Sequence, residues 1–299
     1  MKKSVSLLLA GLMLCGALAG CGGNNNTAEN TDSQTEQTSE STGMSGAIHV
    51  VSREDGSGTR GAFVELTGVE DDNGDNTTVE AEIANRTDAV LTTVAGNEAA
   101  IGYVSLGSLN DTVKAVTVDG VEATVDNVKS GTYTLSRPFN IATKGEPTGV
   151  AKDFINFILS ADGQAIVEEE NYIKVDDAAP AFTSDGSSGQ IAVGGSSSVS
   201  PVMEKLIEAY KAVNPNAQID LQTSDSTSGM TGAMDGTFAI GMASRELKDE
   251  EAAQLTGTAI ALDGIAVIVN TANTVENLTM DQIRSIYVGE TTDWSEVAE

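Results

Sequence analysis

Short apolar runs separate polar loops in the body of the chain, residues 47–299, and four of these runs predict β-strands. They are Ile48–Val51, Ile101–Val104, Gln190–Val193 and Ile265–Val269. The last run is apolar throughout, which is typical of a strand that is buried on both faces of a sheet.

Elsewhere the apolar positions recur every three or four residues, which is the period of a helix with one buried face. This spacing covers Val202–Val213 and Phe154–Ile158. Thr279 followed by Gln282 forms a capping-box pattern before a third helix. Strands that alternate with helices predict an α/β fold with mostly parallel sheets.

Residues 1–20 have the pattern of a bacterial lipoprotein signal peptide. Two lysines precede an apolar run over residues 4–18, which is too short to span a membrane as a mature helix. Residues 18–21, Leu-Ala-Gly-Cys, resemble a lipobox, so we expect cleavage before Cys21 and lipidation of its thiol. A plain secretory signal with an incidental cysteine is the alternative. The expected location is the outer face of the cell membrane.

Two polar segments predict linkers. Residues 21–46 hold Cys21 and a tail of Asn, Thr, Glu, Ser, Gln and Gly, which buries too little apolar surface to offset its ordering entropy. We interpret this segment as a flexible tether. Residues 176–189 are rich in Asp, Ala, Ser and Gly and predict a second linker.

The charge and the rare residues exclude several classes of protein. The 299 residues include 44 Asp and Glu against 16 Lys and Arg, for a net charge of −28, whereas nucleic-acid binding requires a basic face. The cysteines are Cys15 and Cys21, and the one histidine is His49. A Cys/His zinc site and a disulfide framework are therefore excluded, and we expect no metal and no cofactor.

Three loops place hydroxyl groups at predicted helix starts. They span residues 53–59, residues 194–201, where Ser200 is the predicted cap and Pro201 lies in the first turn, and residues 224–229. Free N–H groups and the helix dipole favour an anion at such a terminus. One such loop is an ordinary capped turn, but three in one chain, one of them with Arg53, predict a buried oxyanion site.

Longer motifs resemble those of phosphate-binding proteins of bacterial ABC phosphate importers. They are Val50–Phe63 (VVSREDGSGTRGAF), Ile101–Ser105 (IGYVS), Leu135–Pro138 (LSRP), Gly241–Leu247 (GMASREL) and Asp263–Ala266 (DGIA). The resemblance covers residues 47–175 and 190–299. It implies a two-lobed type II periplasmic-binding-protein fold that closes over one phosphate ion.

The resemblance also implies roles for individual residues. Arg53 matches the arginine that donates to phosphate, and Asp55 matches the acidic residue that steadies this arginine. The other implied phosphate ligands are hydroxyl and backbone N–H groups of Ser57, Gly58, Thr59, Ser197, Ser198 and, with the register open by one residue, Thr227 or Ser228. A surface ion pair of Arg53 and Asp55 is the alternative interpretation.

One position departs from the family pattern. Several members carry an aspartate that accepts the proton of HPO₄²⁻, and an ungapped match puts Ser244 there. A hydroxyl can also accept a hydrogen bond, so Ser244 remains a predicted phosphate ligand. Rejection of sulfate relies on a buried acceptor, however, and Asp55 and Asp225 are the alternatives for that role. Another tetrahedral oxyanion such as sulfate therefore stays open as the ligand.

The two matching parts follow each other in the reverse of the family order, which predicts a circular permutation. Residues 47–136 and 272–299 are expected to form lobe B, and residues 137–271 lobe A. The segment 176–189 is expected to join the family's former ends, with two crossovers near residues 137 and 271 as the hinge. The alternative is a truncated or tandem chain whose halves pair between molecules.

Together these features predict a monomeric, non-enzymatic receptor, anchored in the membrane by lipid, that binds inorganic phosphate. The expected partners are the transmembrane permease subunits of an ABC importer. A serine hydrolase would need His49 as its base, and His49 lies in a predicted strand without a defined acidic partner. A surface sensing or adhesive module on the same fold is a further alternative.

Overall fold

A mixed β-sheet runs through both parts of the chain. The computed structural model describes residues 44–297, which belong to one compact unit. The predicted signal peptide, the predicted lipidation site Cys21 and most of the tether lie outside the described residues. Among the helices of residues 44–297, we find none with the length and apolar content that a membrane span requires.

The strands of the described residues are numbered in chain order. They are β1 His49–Arg53, β2 Glu70–Asp71, β3 Gly74–Asp75, β4 Glu82–Ala84, β5 Ala100–Ser105, β6 Val113–Ala115, β7 Thr117–Val118, β8 Ser136–Thr143, β9 Gly189–Ser196, β10 Ala217–Ser224, β11 Ile240–Ala243, β12 Thr256–Asn270 and β13 Asn277–Leu278.

The α-helices of the same residues are numbered in the same way. They are α1 Gly58–Thr67, α2 Thr87–Gly96, α3 Val125–Lys129, α4 Gly149–Ile158, α5 Ala161–Glu169, α6 Ser200–Val213, α7 Ser226–Asp235, α8 Asp249–Ala252 and α9 Met280–Tyr287. Strands and helices alternate over most of this range, so the predicted α/β architecture is confirmed.

The main sheet has nine strands in the order β10-β9-β11-β8-β12-β5-β1-β4, with β6 also paired to β12. Parallel pairs occur at both ends, between β10, β9 and β11 and between β5, β1 and β4. The expectation of mostly parallel sheets is wrong for the centre, where β8 and β12 make antiparallel pairs. β8 runs opposite to both of its neighbours, β11 and β12, and β12 also runs opposite to β5 and β6.

The two largest hydrophobic cores of the described residues lie along this sheet, and β12 contributes to both. Its residues Ile260 and Ala261 pack in the core that contains β8. Its residues Ile265 and Val267 pack in the core that contains β5. A single continuous strand therefore links the two cores.

Strand pairing shows where β12 passes from one core to the other. β12 pairs with β8 from Thr256 to Gly264 and with β5 from Ile265 to Val269, whereas the sequence placed this crossover near residue 271. The apolar pattern does not reveal the point, because β12 continues unbroken while its partner changes. β8 begins at Ser136, next to the other predicted crossover at 137. We use lobe A for residues 137–264 and lobe B for residues 47–136 and 265–297.

Local sequence explains how individual helices begin. The capping box of α9 is confirmed: Gln282 N donates to Thr279 Oγ1 at 3.2 Å, and Thr279 N donates to Gln282 Oε1 at 2.8 Å. In α6 the cap is Val199 rather than Ser200, because the Ser200 hydroxyl lies in the first turn and donates back to the Ser196 carbonyl.

The segment 176–189 contains no helix or strand before β9 begins at Gly189, but it is packed against lobe A. Buried Asp153 of α4 accepts hydrogen bonds from the Ser184 hydroxyl at 2.7 Å and the Asp185 amide at 2.9 Å. The Phe182 ring lies edge-on to Phe157 at 5.1 Å. One buried carboxylate thus fastens a segment whose composition predicts a free linker.

Replacing Asp153 with Asn should lower the free energy of unfolding by about 1–3 kcal/mol, since it weakens hydrogen bonds to a buried charge. Burial alone raises the pKa of Asp153, but hydrogen bonds from Asp185, Ser184, Tyr210 and Asn214 outweigh burial and hold the pKa below its ordinary value. Such a carboxylate adds stability above its unfolded pKa and loses it as the pH falls.

Urea unfolding at several pH values measures this effect. The stability difference between wild type and Asp153→Asn should be largest near pH 7 and shrink as the solution is acidified. Glu208→Gln removes an exposed carboxylate from α6 and serves as the control, with little change expected. Equal stability of wild type and Asp153→Asn across the pH range would contradict the assignment.

Candidate functional site

The three loops predicted from the sequence meet between the lobes. The first follows β1 and leads into α1 of lobe B, and the other two connect β9 to α6 and β10 to α7 in lobe A. They contribute to a set of buried hydroxyl residues, which we call the hydroxyl cluster: Thr59, Thr87, Ser196, Ser197, Ser198, Ser226 and Ser244. Because both lobes supply its members, the cluster depends on their relative position.

Thr59 of lobe B is the centre of the contacts across the lobes. Its Oγ1 lies 2.9 Å from Ser198 Oγ and 3.3 Å from Ser244 Oγ, both in lobe A. Ser196 Oγ donates to Ser244 Oγ at 3.0 Å, and Ser226 Oγ accepts from the Ser244 amide at 3.1 Å. These contacts connect α1 to α7 through hydroxyl groups and the Ser244 backbone amide.

Thr87 extends the hydroxyl cluster on the side of Arg53. Its Oγ1 lies 3.2 Å from Ser197 Oγ and 3.3 Å from Ser198 Oγ. The Arg53 guanidinium donates to Ser197 Oγ at 3.1 Å and approaches Thr87 Oγ1 at 3.4 Å. The predicted arginine therefore lies at the edge of the cluster.

Glu54, and not Asp55, holds the Arg53 side chain. Two parallel bonds of 2.8 and 2.7 Å join the Arg53 guanidinium to the Glu54 carboxylate. The Asp55 side chain is 98% exposed and pairs with Arg60. This corrects the expectation that Asp55 supports Arg53. Asp55 lies at the outside of the turn, whereas Glu54 folds back alongside Arg53.

A second buried arginine contacts the cluster from the central strands. Arg137, near the start of β8, donates to Thr59 Oγ1 at 3.1 Å and forms a buried ion pair with Asp263 of β12. Tyr103 supports the other arginine, since its hydroxyl accepts from the Arg53 amide at 3.2 Å. Burial raises the pKa of Tyr103 to about 12, which keeps this hydroxyl neutral.

Four helices begin at the cluster. Thr59 is the second residue of α1, Thr87 and Ser226 are the first residues of α2 and α7, and Ser198 lies just before α6. Helix N-termini carry unpaired N–H groups and a partial positive charge. Neutral donors and two arginines, each paired with its own carboxylate, suit a small oxygen-rich anion.

The remaining predicted ligands lie around the cluster rather than within it. Ser57 caps α1, and its Oγ accepts from the Arg60 amide at 3.3 Å. Gly58 is the first residue of α1 and lies against Ser226 and Ser244, with no room for a side chain. Thr227 Oγ1 accepts from Arg245 at 3.3 Å, and exposed Ser228 donates to Asp225 at 2.6 Å.

The third loop therefore supplies Ser226 to the cluster, one residue before Thr227 and two before Ser228, the predicted alternatives. Asp225 is the reason, because it caps α7 and its carboxylate accepts from the Ser228 amide at 2.8 Å. The sequence analysis also missed Thr87, Ser196 and Arg137. Ser196 lay inside a quoted loop and Arg137 inside a quoted motif, but nothing local in the sequence distinguishes Thr87.

The first and third loops touch directly at the rim of the site. The Thr227 amide donates to the Gly56 carbonyl at 3.1 Å. Gly56 lies so close to Asp225 that a Cβ atom at position 56 would overlap the capping carboxylate. This contact joins lobe B to lobe A on a different edge of the cluster from β8 and β12.

Among the described residues, no group of three or more His, Cys, Asp or Glu side chains is placed to hold a metal ion. His49 lies on β1, where its Nε2 is 2.8 Å from a Glu82 carboxylate oxygen and its side chain is 36% exposed. Glu82 lies on β4, the outer strand of the sheet, so the hydrogen bond of His49 is made at the sheet edge and not to the hydroxyl cluster.

Known proteins resemble this chain over its full length. A family model described as a PBP superfamily domain matches residues 19–162 and 180–299. The phosphate-binding protein PstS 2 of Streptococcus agalactiae serotype V is 48% identical over 305 aligned residues, which cover 99% of each chain. A crystal structure of a phosphate-binding protein of a phosphate ABC transporter from Streptococcus pneumoniae TIGR4 is 46% identical, with a TM-score of 0.69, covering 85% of this chain and 100% of that one.

A shorter match involves phosphate-binding protein PstS of Bacillus subtilis. It is 37% identical over 134 residues, which cover 44% of this chain and 42% of that protein. The first relative thus matches from end to end, and the second over less than half of its length.

Gly56→Ala should separate the first and third loops, because the new methyl group has no space beside Asp225. Amide hydrogen exchange at Thr227, which donates to Gly56 O, should become faster by about tenfold, a loss of about 1.4 kcal/mol of protection. Gly61→Ala in α1 is the matched control, since its Cβ would meet only Arg245 Cδ at 3.8 Å. Unchanged exchange in Gly56→Ala would show that the rim contact is not formed in solution.

Proposed function

The chain belongs to the PBP superfamily and, within it, to the phosphate-binding proteins of phosphate ABC transporters, and from that premise we propose that it captures inorganic phosphate between its lobes and delivers it to the importer. Its predicted partners are the transmembrane permease subunits. The homologous proteins are binding components of transporters, so the chain is a binding protein and not an enzyme.

The observation that carries this proposal is the buried, donor-rich hydroxyl cluster shared by the two lobes. A desolvated oxyanion needs hydrogen-bond donors around most of its surface, and hydroxyls and helix N-termini provide them without an uncompensated positive charge. Among the predicted ligands, Arg53, Thr59, Ser197, Ser198 and Ser244 belong to or touch this cluster. Thr87, Ser196 and Ser226 join them as candidate ligands.

Binding and closure are coupled in this proposal. Thr59 and Thr87 lie in lobe B and the serines of the cluster lie in lobe A. An anion between them gains its full set of donors only when the lobes are together, so it favours the closed state.

Sulfate remains the alternative ligand because the cluster itself is made of hydroxyl groups. Ser244 lies between Ser196 and Thr59, while Asp225 is occupied as a helix cap and Asp55 points to Arg60. Neither carboxylate proposed as a proton acceptor contacts the cluster.

Calorimetric titration of residues 46–299 with phosphate and with sulfate at pH 7–8 tests the function. We expect one phosphate per monomer. Arg53→Ala should weaken binding by about 10- to 100-fold, since hydrogen bonds to a charged group contribute about 1.5–3 kcal/mol. Arg284→Ala removes a half-exposed arginine bonded to the Gly68 carbonyl and should bind like wild type.

The outcomes of this titration are distinct. Binding of neither anion by the folded wild-type chain would overturn the proposal. Equal affinity for both anions would support an oxyanion receptor without phosphate preference. A Kd for Arg53→Ala equal to that of wild type would move the site away from the hydroxyl cluster.

We further propose that Cys21 carries the lipid that anchors the protein, as the residues before it suggest. In a bacterium that processes lipoproteins, Cys21→Ala should move most of the protein from the membrane fraction to the soluble fraction and abolish labelling by fatty acid. Cys15→Ala lies inside the signal peptide and should leave both unchanged. Retention of Cys21→Ala in the membrane fraction with its label would contradict this assignment.

A circular permutation is also part of the proposal. The match to the Bacillus subtilis protein covers 44% of this chain and 42% of that one, as expected when only one of two transposed parts aligns at a time. Ala47 forms an antiparallel bridge with Asp293, and the Ile48 amide donates to the Thr292 carbonyl at 2.8 Å. The two ends of the body are thus adjacent in lobe B, which permits the other chain order.

A further inference from the structure

The two central strands bring opposite charges together at the hinge. Arg137 of β8 and Asp263 of β12 are partners in register, and the next pair, Ser136 and Gly264, is the last before β12 changes to β5. The two side chains form an ion pair with 3% and 0% of their surfaces exposed. Each strand that passes between the lobes therefore carries one member of a buried pair.

Arg137 has a limited set of partners. Its Nη1 donates to the Asp263 carboxylate and to the Gly264 carbonyl, and its Nη2 donates to Thr59 Oγ1 at 3.1 Å. Within residues 44–297, Thr59 and Asp263 are the side chains that accept hydrogen bonds from it. The hinge pair thus reaches the hydroxyl cluster through one hydroxyl group.

This contact fixes the direction of the Thr59 proton. A guanidinium group donates hydrogen bonds and cannot accept them, so Thr59 Oγ1 must be the acceptor. The single proton of that hydroxyl then points away from Arg137, towards the side where Ser198 and Ser244 lie. A hydroxyl held in this way presents a donor, and not a lone pair, to an anion in the cluster.

We propose that Arg137, which Asp263 holds in place at the hinge, is a positioning residue. It acts on the bound anion through its hydrogen bond to Thr59. It orients the Thr59 hydroxyl as a donor, so its effect on the anion passes through that hydroxyl. This inference rests on the proposed function, because it explains how the same site would hold phosphate.

The pair lies in buried surroundings that offer few further hydrogen-bond partners. Buried side-chain atoms without a hydrogen-bond partner in the described chain include Arg137 Nε, Asp263 Oδ1 and the hydroxyls of Ser105, Ser108 and Tyr172. Burial lowers the pKa of Arg137, and Asp263 opposes this shift. Because the local dielectric constant is low, the hydrogen bond from Arg137 to Thr59 is strengthened, and it holds the direction of that hydroxyl.

A double-mutant cycle on phosphate affinity tests the proposal. One arm replaces the pair by neutral amides, Arg137→Gln with Asp263→Asn, so that no unpaired charge is buried. The other arm is Thr59→Val, which removes the hydroxyl and keeps the shape. We expect each arm to weaken phosphate binding by about tenfold or more, and the combination to be within about twofold of Thr59→Val alone.

If the loss of phosphate affinity in the combined variant equals the product of the losses in the two arms, the inference is overturned, because the pair would then act on binding without Thr59. Should the paired replacement fail to fold, Arg137→Lys completes the cycle, since it retains the charge but not the two-sided geometry of the guanidinium. Arg137→Lys should lower phosphate affinity in the wild-type background and leave it unchanged in the Thr59→Val background. A loss in both backgrounds would again contradict the proposal.

Two controls separate the possible causes. Asp153→Asn is destabilising but lies at the 176–189 segment, and it should leave phosphate affinity unchanged; a loss there would show that lost stability alone lowers affinity. Failure of the wild-type chain to bind phosphate would reject the proposed function. Wild-type binding with multiplicative effects would reject only the role of Arg137.

Discussion

The hydrogen bonds between Thr59 of lobe B and Ser198 and Ser244 of lobe A are the contacts on which the site depends. They bring hydroxyl donors from both lobes together in a chain with a net charge of −28. Each nearby arginine is neutralised by its own carboxylate, Glu54 or Asp263. The arginines therefore act at the cluster as paired hydrogen-bond donors, and the helix N-termini supply partial positive charge, which costs less to bury than free charges.

The sheet explains how two lobes share such a cluster. β8 and β12 cross between the lobes in opposite directions and pair side by side, so both halves of the sheet remain hydrogen-bonded to one central ribbon. Parallel strands on either side then direct their carboxyl ends, and the helices that follow, towards the same region. Ser196 at the end of β9 and Thr59 just after β1 meet for this reason.

The parts that the sequence predicted are those set by local chemistry. The capping box of α9 needs only Thr279 and Gln282, and the Ser/Gly loops need only a strand before and a helix after. Glu54 and Asp55 are neighbours of the same charge, and only the turn geometry decides which carboxylate faces Arg53. Thr87 joins the cluster through the packing of α2 on the sheet, which has no local pattern in the sequence.

The first and last parts of the described fold lie together in lobe B. Residues 46–48 enter the fold in lobe B and bond to residues 292–294 of the same lobe, so the proposed anchor at Cys21 would hold lobe B. The segment 176–189 lies in lobe A, where Ser184 and Asp185 bond to Asp153. Both β8 and β12 are uninterrupted, and the buried ion pair between them contacts Thr59. The proposed change in chain order would fall at these positions, away from β8, β12 and the hydroxyl cluster.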